Sequence, residues 1–169
     1  MIVHSFPPVA APDARILILG SMPGKVSLAQ RQYYAHPQNL FWRIMGELFD
    51  AGWEMPYEQR LERLQQSGVA LWDVLQECVR DSALDSDIAE DSIVANDFSG
   101  FFAQHAKIRR VFFNGAKAEQ VFRRYVAPTI GDQPACEWFR LPSTSPANAS
   151  IPLATRLAQW RRITSEPLR

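Results

Sequence analysis

Arg15-Ile-Leu-Ile-Leu-Gly20 is the stretch that decides the fold. Four consecutive branched apolar residues stopped by glycine suit a strand buried on both faces, as in a parallel sheet; a strand with one wet face would alternate apolar and polar residues. Three further short runs share this character: Val69-Ala-Leu-Trp-Asp73, Arg110-Val-Phe-Phe-Asn114 and Glu137-Trp-Phe-Arg-Leu141. Segments of helical period lie between them. Asn39 is a good N-cap, and Leu40, Phe41, Ile44 and Leu48 follow at helical spacing. A second helix is expected over 56–67, with Pro56 at its first position and Gly68 closing it. Others are expected over 92–105, capped at Asn96 or Asp97, over 116–126 and over 151–164. Strand and helix thus alternate about four times. That predicts an α/β fold of three layers, α/β/α, around a central four-stranded parallel sheet, with 1–169 as a single domain.

Ligands of such sheets bind beyond the carboxyl ends of the strands. Segments 20–39, 73–80, 114–115 and 142–150 should therefore share one edge. The segment 21–38 reads as one long loop, and loops of that length in compact domains are usually functional.

Composition narrows the class. With 47% hydrophobic and 21% charged residues, the 169-residue chain can build a core. No apolar run approaches the roughly 20 residues of a bilayer span, and no basic segment followed by an apolar one marks a secretory signal. Cys78 and Cys136 form no CxxC pair, so free thiols in a reducing cytoplasm are expected. No cofactor is called for, and no metal either, because His, Cys and carboxylates do not cluster at ligand spacings. The net charge of zero hides an asymmetry. Residues 73–97 are acidic, whereas Lys107, Arg109, Arg110, Lys117, Arg123, Arg124, Arg140, Arg156, Arg161 and Arg162 make the later part basic. Either two solvated faces or one nucleic-acid-binding face would produce that pattern.

Three segments at the predicted edge carry chemistry. Gly20-Ser21-Met22-Pro23-Gly24 is a rigid turn with exposed amides, but neither a Walker loop nor GxGxxG. In Tyr33-Tyr34-Ala35-His36-Pro37-Gln38-Asn39, an aromatic offers a stacking face and Asn39 offers both an acceptor and a donor, or merely a helix cap. His36 reads as a loop hydrogen-bonder. In Leu141-Pro142-Ser143-Thr144-Ser145-Pro146-Ala147-Asn148, small hydroxyl residues held by prolines suit either phosphate contacts or a plain helix N-terminus.

Together these segments resemble the uracil-DNA glycosylase superfamily over nearly the whole chain. The glycine–proline turn followed by Ala35-His36-Pro37-Gln38-Asn39-Leu40-Phe41-Trp42 looks like the mismatch-specific branches. The closing serine–threonine loop looks like the superfamily's second motif. Trp72-Asp73-Val74-Leu75, with Cys78, Arg80 and Leu84-Asp85-Ser86, is most similar to the hypoxanthine-DNA glycosylase branch. One position departs: Met22 stands where the mismatch-specific branch has an asparagine, and methionine cannot orient water.

The resemblance implies a monofunctional glycosylase that flips a deaminated base, hypoxanthine by preference, from damaged DNA and leaves an abasic site. Asn39 would orient the attacking water, and the backbone at Ser21 would complete the water site. Tyr34, Met22, Pro23, Asp73 and Asn114 would form the base pocket. Tyr34 would stack on the base, and the Asp73 carboxylate would accept a ring N–H. Lys25, Ser143, Thr144, Ser145, Pro146, Ala147 and Asn148 would contact DNA. A cytoplasmic monomer without a membrane partner is expected. The alternatives are a uracil or thymine mismatch glycosylase, and a noncatalytic nucleic-acid-binding relative, which Met22 keeps open.

Overall fold

The computed structural model describes residues 1–82, 84–131 and 134–165. In chain order the elements are β1 (Ile2–His4), β2 (Ile16–Gly20), α1 (Lys25–Gln30), α2 (Phe41–Phe49), α3 (Tyr57–Gln66), β3 (Val69–Asp73), β4 (Leu75–Val79), β5 (Val94–Ala95), α4 (Phe98–Gln104), β6 (Arg110–Asn114), α5 (Ala116–Val121), α6 (Ala127–Ile130), β7 (Glu137–Leu141) and α7 (Leu153–Trp160). Strands β3-β2-β6-β7 form the parallel four-stranded sheet that the apolar runs predict. Among the described residues, no helix is long and apolar enough to cross a membrane.

Strand alternation explains the layers. Ile16, Ile18 and Phe112 point into one apolar cluster with Phe41, Trp42, Ile44, Met45, Leu64 and Trp160, so α2, α3 and α7 cover that face. Leu17, Leu19, Val111 and Phe113 point the other way, against Phe98, Phe101, Phe102, Val121 and Phe122 of the α4 and α5 side. All five residues of β2 are buried, which is why its sequence shows no polar alternation.

The structure corrects several expectations. A second, antiparallel sheet, β1-β4-β5, packs beside the first, although its short strands carry no long apolar run. The 21–38 segment is not all loop, since α1 occupies part of it. The helix expected over 92–105 is confined to Phe98–Gln104, and Asp97 caps it by accepting a hydrogen bond from Gly100 N at 3.1 Å. The helix expected over 116–126 passes through a π-turn at Phe122–Val126 and runs on as α6. Pro56 precedes α3 as its N-cap instead of opening it. Gly68, at φ +80°, makes the tight return into β3 that the sequence reserves for glycine.

Candidate active site

The register of the sheet assembles the site. Gly20 lies opposite Asp73, and Asn114 opposite Leu141, so all four parallel strands end along one edge. A cleft of about 800 Å³ opens there, lined by the 20–27 segment, Tyr34, His36, Asn39, Asp73, Leu84-Asp85-Ser86, Asn114 and the 140–148 loop. This volume suits a flat ligand the size of a nucleoside.

The floor is built on Gly20. A Cβ at that position would lie 2.5 Å from Asp73 Oδ1 and 3.0 Å from Tyr34 Oη, so only glycine lets both polar groups converge there. Asp73 is 3% exposed, and its Oδ2 has no hydrogen-bond partner among the described residues. Its backbone carbonyl accepts a hydrogen bond from Asn96 Nδ2. Burial, reinforced by the negative charge of Asp85 and opposed by Arg80, pushes the Asp73 carboxyl up to about 7. Tyr34 sits at φ +55°, in the left-handed region, with its ring stacked on Phe41 at 4.0 Å. Its buried Oη also lacks a protein partner in hydrogen-bonding geometry. Burial and the nearby Asp73 raise this hydroxyl well above its ordinary value, with Asn114 acting against them, so it remains a proton donor.

Ser21 and Met22 are buried. The Ser21 hydroxyl donates to Asp85 Oδ1 at 2.7 Å, which adds a side-chain function to a residue expected to act through its backbone. Met22 lines the cleft, yet its side chain packs in the core cluster with Leu19 and Trp72. Pro23 is buried, and its carbonyl accepts a hydrogen bond from Arg80 Nη2. Lys25 is exposed at the start of α1, on the lining of the cleft.

Asn39 stands one residue before Leu40, the N-cap of α2. Its Oδ1 accepts a hydrogen bond from Phe41 N at 2.9 Å, pinning the start of α2, and the residue also lines the cleft. His36 is a loop residue whose Nδ1 accepts a hydrogen bond from Gln38 N.

The second motif is held rigidly from below. Asn114 Nδ2 donates to Thr144 Oγ1 and Asn114 Oδ1 accepts from Thr144 N, both at 3.0 Å. Thr144 is only 1% exposed, so it belongs to the loop's scaffold and not, as expected, to its DNA-facing surface. Asn114 spends its amide on that clamp while lining the cleft. Ser143 Oγ accepts from Ser145 N, Ser145 Oγ accepts from Ala147 N, and Asn148 Nδ2 donates to Ser143 O. Arg156 Nη1 ties Ser143 O and Ser145 O to α7, and Trp160 Nε1 donates to Pro142 O. Pro146 and the exposed Ala147 sit in the short turn Pro146–Asn148 at the rim.

Two residues quoted only for their resemblance prove central. Asp85 enters the cleft from across, and Arg80 lies buried beneath the first loop with Nε and Nη1 lacking protein partners. Burial raises the Asp85 carboxyl, while Ser21, Arg80 and Lys117 hold it down. Apart from the resemblance that quotes it, no spacing or periodicity separates Asp85 from the other carboxylates of the acidic run around it.

Comparison with known proteins agrees with this architecture. Residues 7–163 match the Uracil DNA glycosylase superfamily. A protein of Methanosarcina acetivorans named hypoxanthine DNA glycosylase is 40% identical over 119 residues, 70% of this chain and 74% of that one. One of the same name from Methanosarcina barkeri is 40% identical over 116 residues, 68% of this chain and 72% of its own length. A solution NMR structure from Methanosarcina acetivorans, described as a uracil DNA glycosylase, superposes with a TM-score of 0.79 at 35% identity and covers 96% of each chain. With the parallel sheet, the cleft at its carboxyl edge and the clamped serine–threonine loop in place, the chain belongs to the uracil DNA glycosylase superfamily.

Proposed function

We propose that this glycosylase prefers hypoxanthine among deaminated bases, and that it is monofunctional, leaving an abasic site. The observation that carries the choice of a lactam base is the convergence of Asp73 Oδ1 and Tyr34 Oη above Gly20, and the name of the Methanosarcina relatives supports hypoxanthine as the first candidate among such bases. An ionised carboxylate accepts and a phenol donates, so side by side they complement a ring N–H next to a carbonyl. Hypoxanthine offers that edge with N1–H and O6. Adenine, its parent, offers the reverse polarity and would meet the carboxylate with a lone pair. Uracil presents the same lactam edge at N3–H and is the second candidate substrate. Intact guanine and thymine are protected by the cost of unpairing them, which is least for mismatched or damaged bases.

Hydrolysis requires the base outside the stack, charge stabilisation on the sugar and an oriented water. The base enters with its edge towards Tyr34 Oη and Asp73, so Tyr34 acts as an edge donor in place of the stacking face expected of it. Asn39, fixed by its bond to Phe41 N, orients water towards C1′. The 143–148 loop presses on the flanking backbone, and Lys25 contributes a phosphate contact. The small side chains of that loop favour backbone compression over deep intercalation. Methods that report mass in solution should find a monomer, and the cytoplasm is the compartment that suits its reduced cysteines.

The test is base release from duplexes carrying deoxyinosine, deoxyuridine or a normal base, in chelator, by wild type and Asn39→Ala. The expected order is deoxyinosine, then deoxyuridine, with adenine untouched, and a loss of roughly 10²–10³-fold in the variant. Efficient release of uracil with none of hypoxanthine would transfer the assignment to the mismatch-specific branch. An unaltered rate in Asn39→Ala would remove its role.

A further inference from the structure

The mechanism so far gives work to one carboxylate of the cleft, Asp73, and none to the second. We propose that Asp85 is a catalytic carboxylate in the sugar half of the cleft, where it stabilises the developing cation at C1′ and takes the proton of the attacking water. The inference rests on the glycosylase reading of the same cleft.

Position supports it first. Asp85 opens the short turn Asp85–Asp87 at the rim, directly after Leu84, which is 50% exposed and lines the mouth. From there its side chain reaches inward to the Ser21 hydroxyl. Asp73 approaches the neighbouring residue, Gly20, from the deep end of β3 and is 3% exposed. The two carboxylates thus bracket the Gly20-Ser21 corner at different depths. A flipped nucleotide enters base first, while its sugar stays near the mouth because two phosphates tether it. The deep carboxylate meets the base, and the outer one meets the sugar.

Local chemistry supports it second. The first loop offers no charged or amide side chain between Gly20 and Gly24, and Met22 is 7% exposed and packed in the core. Asp85 brings an anionic group to that loop from a separate segment. Ser21 holds one of its oxygens and leaves further lone pairs for a substrate. The buried Arg80 and Lys117 offset the unfavourable burial of its charge, and the same burial makes it a stronger base than an exposed aspartate.

The step balances without a co-reactant. As the C1′–N bond breaks, its electron pair leaves with the base and the sugar becomes cationic, a charge that a carboxylate in a water-poor site stabilises strongly. Water oxygen bonds to C1′, and its proton passes to Asp85 and then to the departing base or to solvent. Nothing is oxidised or reduced.

The test is Asp85→Asn, which keeps an oxygen for Ser21 to donate to, measured as single-turnover base release with enzyme saturating, beside duplex affinity and thermal unfolding. The expected result is a rate loss of roughly 10²–10³-fold, with affinity unchanged and thermal stability not lowered. The loss should be equal for deoxyinosine and deoxyuridine, because the sugar is common to both. Ser21→Ala, which frees the carboxylate without removing it, should give a smaller loss in the same base-independent way. Wild-type rates in Asp85→Asn, or a loss confined to one base, would overturn the role of Asp85 while leaving the glycosylase reading standing. Should Asp85→Asn fail to fold, an unaltered rate in Ser21→Ala would overturn it as well. Absence of release by the wild type would overturn both.

Discussion

Gly20→Ala is a one-carbon perturbation whose consequence follows from two distances. The new Cβ would sit 2.5 Å from Asp73 Oδ1, whereas ordinary contact begins near 3.4 Å, so the carboxylate must retreat by about 1 Å. Tyr34 Oη, at 3.0 Å, must yield by a few tenths of an ångström. Neither group has slack: Asp73 is 3% exposed at the end of a buried strand, and Tyr34 is stacked on Phe41. Misplacing a positioning group by 1 Å costs about 10²-fold in rate, or about 2.7 kcal/mol of transition-state stabilisation. Fold stability should change less. Overpacking costs typically 1–3 kcal/mol, partly offset by the roughly 0.5–1 kcal/mol that alanine gains over glycine in a strand. The assay is single-turnover release from a deoxyinosine duplex, with a double-mutant cycle against Asp73→Ala. Because removing the carboxylate makes room for the methyl group, Gly20→Ala should have little further effect in that background. Wild-type release by Gly20→Ala, or losses that simply add in the double variant, would refute the claim that glycine is there to admit Asp73.

Two other outcomes follow from the same floor and its clamp. The Asp73 carboxyl, raised to about 7, keeps its proton in the folded state over a range where the unfolded chain has already lost it. Stability should therefore fall as pH rises from about 4 to about 7 and then level off. Asp73→Asn should flatten that slope in pH-dependent thermal unfolding and raise stability above pH 7 by a few kcal/mol. Base release by the wild type should decline as pH falls through about 7, since the ionised form is the stronger acceptor for the ring N–H, and Asp73→Asn should lose that decline. Asn114→Ala should strand both Thr144 N and Thr144 Oγ1 in a nearly solvent-free position, costing about 1–3 kcal/mol for each buried group left unsatisfied. At about 2–4 °C per kcal/mol, calorimetry should resolve the drop, and duplex affinity should weaken with it.

The sheet was legible because a doubly covered parallel strand needs an unbroken apolar run, and β2, β3 and β6 supply one. Once the strands were placed, the position of the site followed from topology, since Gly20, Asp73, Asn114 and Leu141 had to end at one edge. The antiparallel sheet was hidden for the converse reason. In Leu75–Val79 only Leu75 and Cys78 are buried, and β5 has two residues, too few for a period to register. Helix α1 buries only Ser27, so it shows no apolar stripe. In the site, Asn39 and Asp73 were readable from their places at an element's end. Asp85 was not, because its burial depends on a contact with Ser21 across 64 positions of chain. Thr144 misled because a hydroxyl beside prolines looks like surface, whereas its burial is set by Asn114 on another strand.

The distribution of unsatisfied groups ties stability to function. Six buried side-chain nitrogen or oxygen atoms have no protein hydrogen-bond partner among the described residues, and four of them belong to Tyr34, Asp73 and Arg80. The other two have local compensation: the Arg60 guanidinium lies over the rings of Trp42 and Trp53, and Arg156 already holds the second-motif loop through Nη1. Arg80 has the same kind of relief, through Nη2 on Pro23 O, but Tyr34 Oη and Asp73 Oδ2 in the cleft have none, and Tyr34 adds a left-handed backbone that costs of order 1–3 kcal/mol. Each orphaned buried group adds about 1–3 kcal/mol against a total stability of only about 5–15 kcal/mol. A core built for stability alone would place leucine or phenylalanine at these positions. In the proposed reading, the polarity of Tyr34 and Asp73 is retained where the ends of β2 and β3 meet because it completes a flat ligand whose facing edge carries its own donors and acceptors.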